Sequence, residues 1–261
     1  MDIFLDYKCN NNCRFCCVRD CKFIKPVNQV IKEIKSAKEV NFTGGEPTLR
    51  KDLKDFIEYA GQKKVILTTN GRVFSNKKMA GDLVGAGLNE AVVSVHGNEK
   101  THDYLTQTKG SFNQTIKGLD NLKESVPVRA KILVNDMNYR ILPKIVEMLL
   151  EKVKGICFIY PIVEGNLLKH LWLVPRFESI EKYLHESIKN AEENGLNAEV
   201  LNVPPCFLRG HEKNISKEHG LEKEKSFVKP EACKSCSYNQ ECSGISKDYV
   251  NLKGENVKPV I

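Results

Sequence analysis

Four cysteines crowd into residues 8–18, KCNNNCRFCCV, and three of them, Cys9, Cys13 and Cys16, are spaced C-x3-C-x2-C. Three thiolates from one short loop can hold three corners of a cubane. Clusters of the [4Fe–4S] type normally take four cysteines, so such a trio leaves one iron open to a small molecule. Zinc is the alternative, but a structural zinc site is closed and tetrahedral and needs a fourth ligand. Cys21 has the reach for that role, whereas Cys17 would require the chain to double back within one residue. A second set lies downstream: Cys206 in PPCFLRG, then Cys233, Cys236 and Cys242 in CKSCSYNQEC. C-x2-C-x5-C with one distant thiol supplies four ligands, enough for a structural zinc or a further iron–sulfur cluster.

Disulfides are the third use of cysteine. The first residues, MDIFLDYKC, lack the basic start, long apolar run and small-residue cleavage site of a signal peptide. No apolar run approaches the roughly 20 residues that cross a bilayer. A cytoplasmic location and no membrane partner are therefore expected, and in that reducing compartment ten cysteines argue for metal or catalysis.

The elements that must position these thiols are legible as alternation. Short β-type runs occur at 3–7, 39–43, 64–69, 90–95, 126–134 and 155–160, with Asn41 and Arg129 as polar exceptions. Between them lie helix-period stretches at 28–37, 50–62, 76–86, 111–124 and 139–153. Such alternation predicts βαβ units and a parallel sheet, closed into a barrel or left open and doubly wound. In either geometry chemistry sits after strand C-termini, and every unusual motif does. CNNNCRFCC follows the first strand, GGEPT the second, NGR the third, HGNEKTHD the fourth and NDMN the fifth. After about residue 200 the alternation stops. Residues 201–261 read as a small cysteine-rich, metal-ordered extension on a 1–200 α/β domain.

The net charge of +7 is carried mostly by lysine interleaved with glutamate, as in VIKEIKSAKEV. That pattern is a solvated helix face more than a nucleic-acid stripe.

Taken together the motifs resemble the radical S-adenosylmethionine (radical SAM) superfamily. Its C-x3-C-x-aromatic-C signature is met with Phe15 as the aromatic, its GGE motif by TGGEPTL (43–49), and its later strand-end segments by TTNG (68–71) and VVSVHG (92–97). GSFNQTIKGLDNL (110–122) is similar to the helix that follows in many members. The resemblance, over residues 1–160, implies a partial (β/α)6 TIM-type barrel. It implies that Cys9, Cys13 and Cys16 bind a [4Fe–4S] cluster whose open iron takes the amino and carboxylate groups of S-adenosylmethionine. Gly44, Gly45 and Glu46 would meet the methionyl ammonium, Ser94 the ribose, with Thr69 and Asn70 as further contacts and Asn135 and Asn138 as more distant candidates. The implied chemistry is reductive cleavage of the sulfonium to a 5′-deoxyadenosyl radical that abstracts hydrogen from substrate, fed by a flavodoxin- or ferredoxin-type donor.

The downstream cysteines resemble the SPASM or twitch extensions of such enzymes. A full SPASM region carries more cysteines, so Cys206, Cys233, Cys236 and Cys242 are expected to hold one auxiliary [4Fe–4S] cluster, with zinc as the alternative. The expected substrate is a peptide or protein, or a small cofactor precursor; tRNA is a second substrate class. A zinc-containing nucleic-acid-binding protein is the competing non-catalytic reading. His102 and Asp103 are candidates for moving protons, or for capping the next helix. His96 sits with them near the expected barrel mouth. Cys157 and Trp172 read as packing residues, and Cys17 and Cys21 as packing around the first cluster.

Overall fold

The computed structural model describes residues 1–18, 22–216 and 227–261; Cys21 lies outside them. Seven strands run in chain order: β1 (Asp2–Phe4), β2 (Glu39–Thr43), β3 (Lys64–Thr69), β4 (Glu90–Ser94), β5 (Val128–Leu133), β6 (Gly155–Ile159) and β7 (Asn197–Leu201). They form one sheet in the order β1-β2-β3-β4-β5-β6-β7, every neighbouring pair parallel. The crossovers are made by α1 (Val27–Ser36), α2 (Leu53–Ala60), α3 (Lys77–Ala86), α4 (Glu99–Thr106), α5 (Ser111–Lys123), α6 (Leu142–Leu149) and α7 (Phe177–Glu193).

Each strand has two destinations for its side chains, because successive residues point to opposite faces. One set, including Val40, Phe42, Val65, Leu67, Val93, Val128, Ala130, Ile132, Phe158 and Val200, is buried under the helices. Those helices return matching apolar stripes, such as Ile180, Leu184, Ile188 and Ala191 of α7. The other set is mixed: Asp2, Asn41, Thr68, Ser94, Arg129, Lys131, Cys157 and Glu199 all line one cavity of about 840 Å³. A cavity touched by residues of all seven strands requires the sheet to curl around it, with β1 and β7 as the unjoined edges. This is the expected partial barrel.

The architecture exceeds the six alternating units legible in the sequence. β7 adds a seventh strand, reached by the 17-residue α7, and α4 occupies part of the fourth-strand loop. Asn98 starts α4 by accepting a hydrogen bond from the Thr101 amide. Trp172 was expected to pack, yet it is 48% exposed, because the short 3₁₀ turn Leu171–Leu173 buries only Leu173.

Beyond β7 the chain makes a two-stranded antiparallel ribbon of β8 (Phe227–Val228) and β9 (Ile245–Ser246), then α8 (Lys247–Lys253). This tail does not build a core of its own. Ile245 and Tyr249 join the barrel's core: the Tyr249 ring lies 4.3 Å from that of Phe177 and its hydroxyl accepts from the Phe177 amide.

Candidate active site and second cysteine centre

The loop carrying Cys9, Cys13 and Cys16 has almost no secondary structure, so its backbone must be held from outside. Four elements do so. From β2, the Gly45 amide donates to Asp6 O and the Glu46 amide to Lys8 O. Gly44 has φ +144°, and a Cβ there would stand 2.3 Å from Asp6 O; at Gly45 it would stand 2.4 Å from Lys8 O. Two glycines are thus what lets the second motif lie against the root of the first. From the turn after β3, Arg72 donates to Asn10 O (2.6 Å) and Asn11 Oδ1 (2.7 Å), while Asn70 Nδ2 reaches Asn10 Oδ1 and, at 3.9 Å, Cys9 Sγ. From α4, Thr106 O accepts from the Asn12 amide and Leu105 O from the Arg14 amide. From the loop after β6, Asn166 donates to Cys16 O and Cys13 O.

All three thiols face the cavity, joined there by Gly44, Gly45, Thr69, Asn70 and Ser94. Most of the remaining expected site residues are elsewhere. Glu46 is 2% exposed and stands behind that lining. Its carboxylate is taken up by Thr48 and Thr69 hydroxyls and by the Thr48 and Asn70 amides. Burial raises the Glu46 pKa against the pull of these hydrogen bonds. Its visible work is to lock the end of β3 to the second motif. Asn135 and Asn138 are fully buried and lie off the cavity; they bond Leu133 O, His96 O and each other within the turn after β5. Asp103 also lies off the cavity lining. Its carboxylate accepts from the Gly110 and Phe112 amides and the Ser111 hydroxyl, which makes it the cap of α5. His102 and His96 do line the cavity. Burial lowers both pKa values: at His96 the neighbouring His102 and Lys131 add to it, and at His102 burial outweighs the opposing Asp103 carboxylate and brings the value to about 4. The His96 ring meets Phe15 edge-on at 4.6 Å.

At Cys9 and Cys17 the surroundings favour the protonated thiol. Burial, with the nearby Glu46 and Cys16 charges, raises Cys9 against a bond from the Asn11 amide. Cys17, which shares the lining, is pushed up to about 11, mainly by burial and then by Cys16. A cation that replaces the protons is what such a pocket fits. Among the described residues no three His, Cys, Asp or Glu side chains are gathered at the spacing of a single metal ion. A cubane asks instead for one thiolate on each of three irons and for room beside them, and this lining supplies both.

Deeper in the barrel the sequence reading missed Lys131 and Glu199. Lys131 lines the cavity and forms no ion pair among the described residues. Arg129, by contrast, is paired with Glu90 and Glu199. Parallel pairing puts Lys131 beside Cys157 and Cys157 beside Glu199. The only sequence signal was the polar interruption at Arg129; once β5 is placed, its period of two puts Lys131 on the same face. Cys157, expected as a buried small hydrophobe, is buried and also lines the cavity.

The second cysteine set converges as well. Cys206, Cys233, Cys236 and Cys242 surround one small pocket of about 20 Å³, with Lys229 and Tyr238. Burial raises Cys206, Cys233 and Cys242, and neighbouring thiols of the set add to it. The Gly244 amide donates to Cys242 Sγ at 3.2 Å, and Lys229 caps the Asn239 carbonyl. The pocket is about one water in size, so a cubane would require the surrounding turns to spread.

Among the described residues no helix is long and apolar enough to cross a membrane. Comparison with known proteins agrees with this geometry. The chain is 34% identical over 170 residues to the Fe-coproporphyrin III synthase of Methanosarcina barkeri, a match over 62% of this chain but only 42% of that protein's length. It is 29% identical over 247 residues to a probable GTP 3′,8-cyclase of Thermoplasma volcanium, covering 88% of this chain and 71% of that one. A solved structure of native anSMEcpe with bound AdoMet and a Cp18Cys peptide superposes with a TM-score of 0.68 at 17% identity, over 99% of this chain and 92% of that one, and so shares the fold. The family model of the radical SAM superfamily matches residues 5–149, from just after β1 through α6. With more than half of its length inside that match, the chain belongs to the radical SAM superfamily of enzymes.

Proposed function

We propose that this chain reductively cleaves S-adenosylmethionine at a [4Fe–4S] cluster held by Cys9, Cys13 and Cys16, and directs the resulting radical at an anionic small-molecule substrate bound in the barrel. One observation carries the reading: a single cavity joins the three thiols to Gly44, Gly45, Thr69, Asn70 and Ser94 at one end and to Lys131 at the other. Its volume lies within the range of cofactor and ligand sites. When bound, the cluster supplies the electron that splits the sulfonium. This chain's residues bind, orient and exclude water. The glycine pair presents backbone carbonyls to the methionyl ammonium, Ser94 and Asn70 hold the ribose, and Phe15 and His96 wall the loop side. The curled sheet keeps solvent from the reacting carbon.

Lys131 favours an anionic substrate, since a half-buried ammonium without a carboxylate partner is stabilised by one that the ligand brings. A porphyrin carboxylate and a nucleotide phosphate, the chemistry suggested by the relatives' names, both fit that description. The four downstream thiols form a second centre. A [4Fe–4S] cluster is the first reading there, because no three of them are drawn to single-ion spacing. Zinc is the second, favoured by the small volume of the pocket.

Anaerobic reconstitution tests both assignments. About eight irons per chain are expected for two cubanes, and about four with one zinc for the second reading. Deoxyadenosine should appear only with a reductant. Release that persists after Cys9, Cys13 and Cys16 are all changed to alanine removes the assignment.

A further inference from the structure

The curled sheet walls the cavity on most sides but leaves a seam. β1 and β7 are its two edges, and among the described residues no strand pairs across the gap between them. Each edge finds a separate short neighbour instead. Ile24 bridges to Asp6, just past β1, and Ile215 bridges to Val200 of β7. A site that confines a reactive intermediate has to shed water when it closes, so something besides backbone must fill the seam.

The side chains along the β1 edge are apolar and continue past the cavity. Met1, Phe4 and Tyr7 line it. The row then runs outward: the Phe4 and Tyr7 ring centroids are 6.5 Å apart, and those of Tyr7 and Phe23 are 6.4 Å apart. Met1 is 47% exposed and Phe23 43%. The segment bearing Phe23 is pinned to the edge, since the Lys25 amide donates to Leu5 O at 2.8 Å and its ammonium is paired with Glu33 of α1. Single exposed apolar residues are ordinary. A row that carries the lining of a ligand cavity out to the surface marks a contact for something bound there.

The charges give the site a direction. Lys131, on β5, faces the same cavity without an ion pair among the described residues. The carboxylates near the β1 edge and on β7 are engaged: Asp2 accepts from Asn41, Asp6 from the Lys8 amide, and Glu199 is paired with Arg129. From the β6 and β7 side, Ile159, Ile162 and Leu201 line the cavity. A ligand that satisfies both ends is anionic inside and apolar at the seam. A nucleotide is hydrophilic over its phosphates and ribose and leaves the aromatic row uncovered.

We infer that Met1, Phe4, Tyr7 and Phe23 form an outer subsite for an amphipathic acid, whose carboxylate lies inside against Lys131 and whose extended, ring-built apolar body fills the seam and covers Phe23. The inference rests on the anionic-substrate reading above and adds the class and the orientation: the bound substrate is itself the missing wall. Tilted aromatic contacts of this kind suit a ligand built of rings.

The experiment titrates the reconstituted full chain by calorimetry with two probes, a metal-free porphyrin carrying propionates and GTP. The porphyrin should bind more tightly by about tenfold or more. Phe23→Ser should weaken it about fivefold, because covering the exposed part of one phenyl ring is worth a fraction of its full transfer, while Phe23→Leu keeps most of the affinity. Lys131→Met should weaken the propionate form and leave the uncharged propionate ester unaffected. In wild type carrying 4-fluorophenylalanine, the Phe23 resonance, identified by its loss in Phe23→Leu, should shift on saturation, so a misfolded serine variant leaves the test intact. GTP binding tighter than the porphyrin overturns the inference. So does a porphyrin that binds without moving the Phe23 resonance, or one indifferent to Lys131→Met. Reductant-dependent deoxyadenosine release, measured without either probe, shows in each case whether the cluster reading still stands.

Discussion

The two cysteine centres are built on opposite plans. The first gathers three thiols from one eight-residue stretch, 9–16, whose backbone is bonded to β2, the turn after β3, α4 and the loop after β6. The second gathers its thiols from two places 27 residues apart in sequence, Cys206 and Cys233, on short turns beside a ribbon of two-residue strands. The first opens on a cavity of about 840 Å³, the second on a pocket of about 20 Å³. A loop that the fold already holds can stop one ligand short and leave room for a reactant. A segment with so few hydrogen bonds of its own depends on a full ligand set to stay ordered. On the function proposed above, the difference separates a site made for turnover from one made for shape or electron storage.

The sharpest way to break that comparison is to remove one thiol from each centre. Cys13→Ala should cut deoxyadenosine release at least a thousandfold, about 4 kcal/mol of barrier, with the melting temperature of the apo protein almost unchanged. Cys236→Ala should leave the first cluster's EPR signal in place, remove the second centre's metal, and open residues 227–246 to protease. If the protease sensitivity appears instead near residues 9–16 in Cys13→Ala, the outer bonds do not hold that loop and the contrast fails.

A smaller effect is expected at Gly45. Its Cβ in Gly45→Ala would meet Lys8 O and Tyr7 O at 2.4 and 2.5 Å, and backbone atoms cannot swing aside as a side chain does. Overpacking of this kind costs about 1–3 kcal/mol. The loop root should shift, so iron uptake at the first centre should fall several-fold while the second centre fills normally. Equal loss at both centres would show that the substitution merely unfolds the barrel.

How much of this was legible beforehand follows the same division. The first-centre thiols, the glycine pair and Ser94 were readable because their spacing and strand-end positions are local. β7 was not, because NAEVL places Asn197 and Glu199 at alternate positions and its inward face is polar. A strand in a ligand-holding barrel breaks the continuous apolar run that marks a buried parallel strand. The same rule hid Lys131. α4 escaped because EKTHDYLT is short and polar, and its job is to hold the cysteine loop through backbone carbonyls, which no residue type reveals. Glu46 was legible as a motif member but not in its direction, since only the fold shows its oxygens consumed by Thr48, Thr69 and Asn70.

The gentlest test concerns Asp103, which the sequence offered both as a proton carrier and as a cap. Three hydrogen bonds from the first turn of α5 converge on its carboxylate, and the residue lies off the cavity lining. Burial pushes its pKa up, but those bonds and the neighbouring His102 outweigh that and bring it below the usual value. The carboxylate therefore stays charged through the pH range where such enzymes are assayed. A proton carrier would need the opposite tuning, towards the working pH. Asp103→Ala should cost about 1 kcal/mol, as lost caps do, or a melting temperature lower by about 2–4 °C for a chain of this size. Asp103→Asn should recover part of it, because an amide oxygen still accepts from the Phe112 amide. Deoxyadenosine release per iron-loaded chain should stay within about twofold of wild type in both variants. A large loss of turnover with an unchanged melting temperature would transfer Asp103 from the scaffold to the chemistry, and leave α5 in need of a different explanation for how its first turn is held.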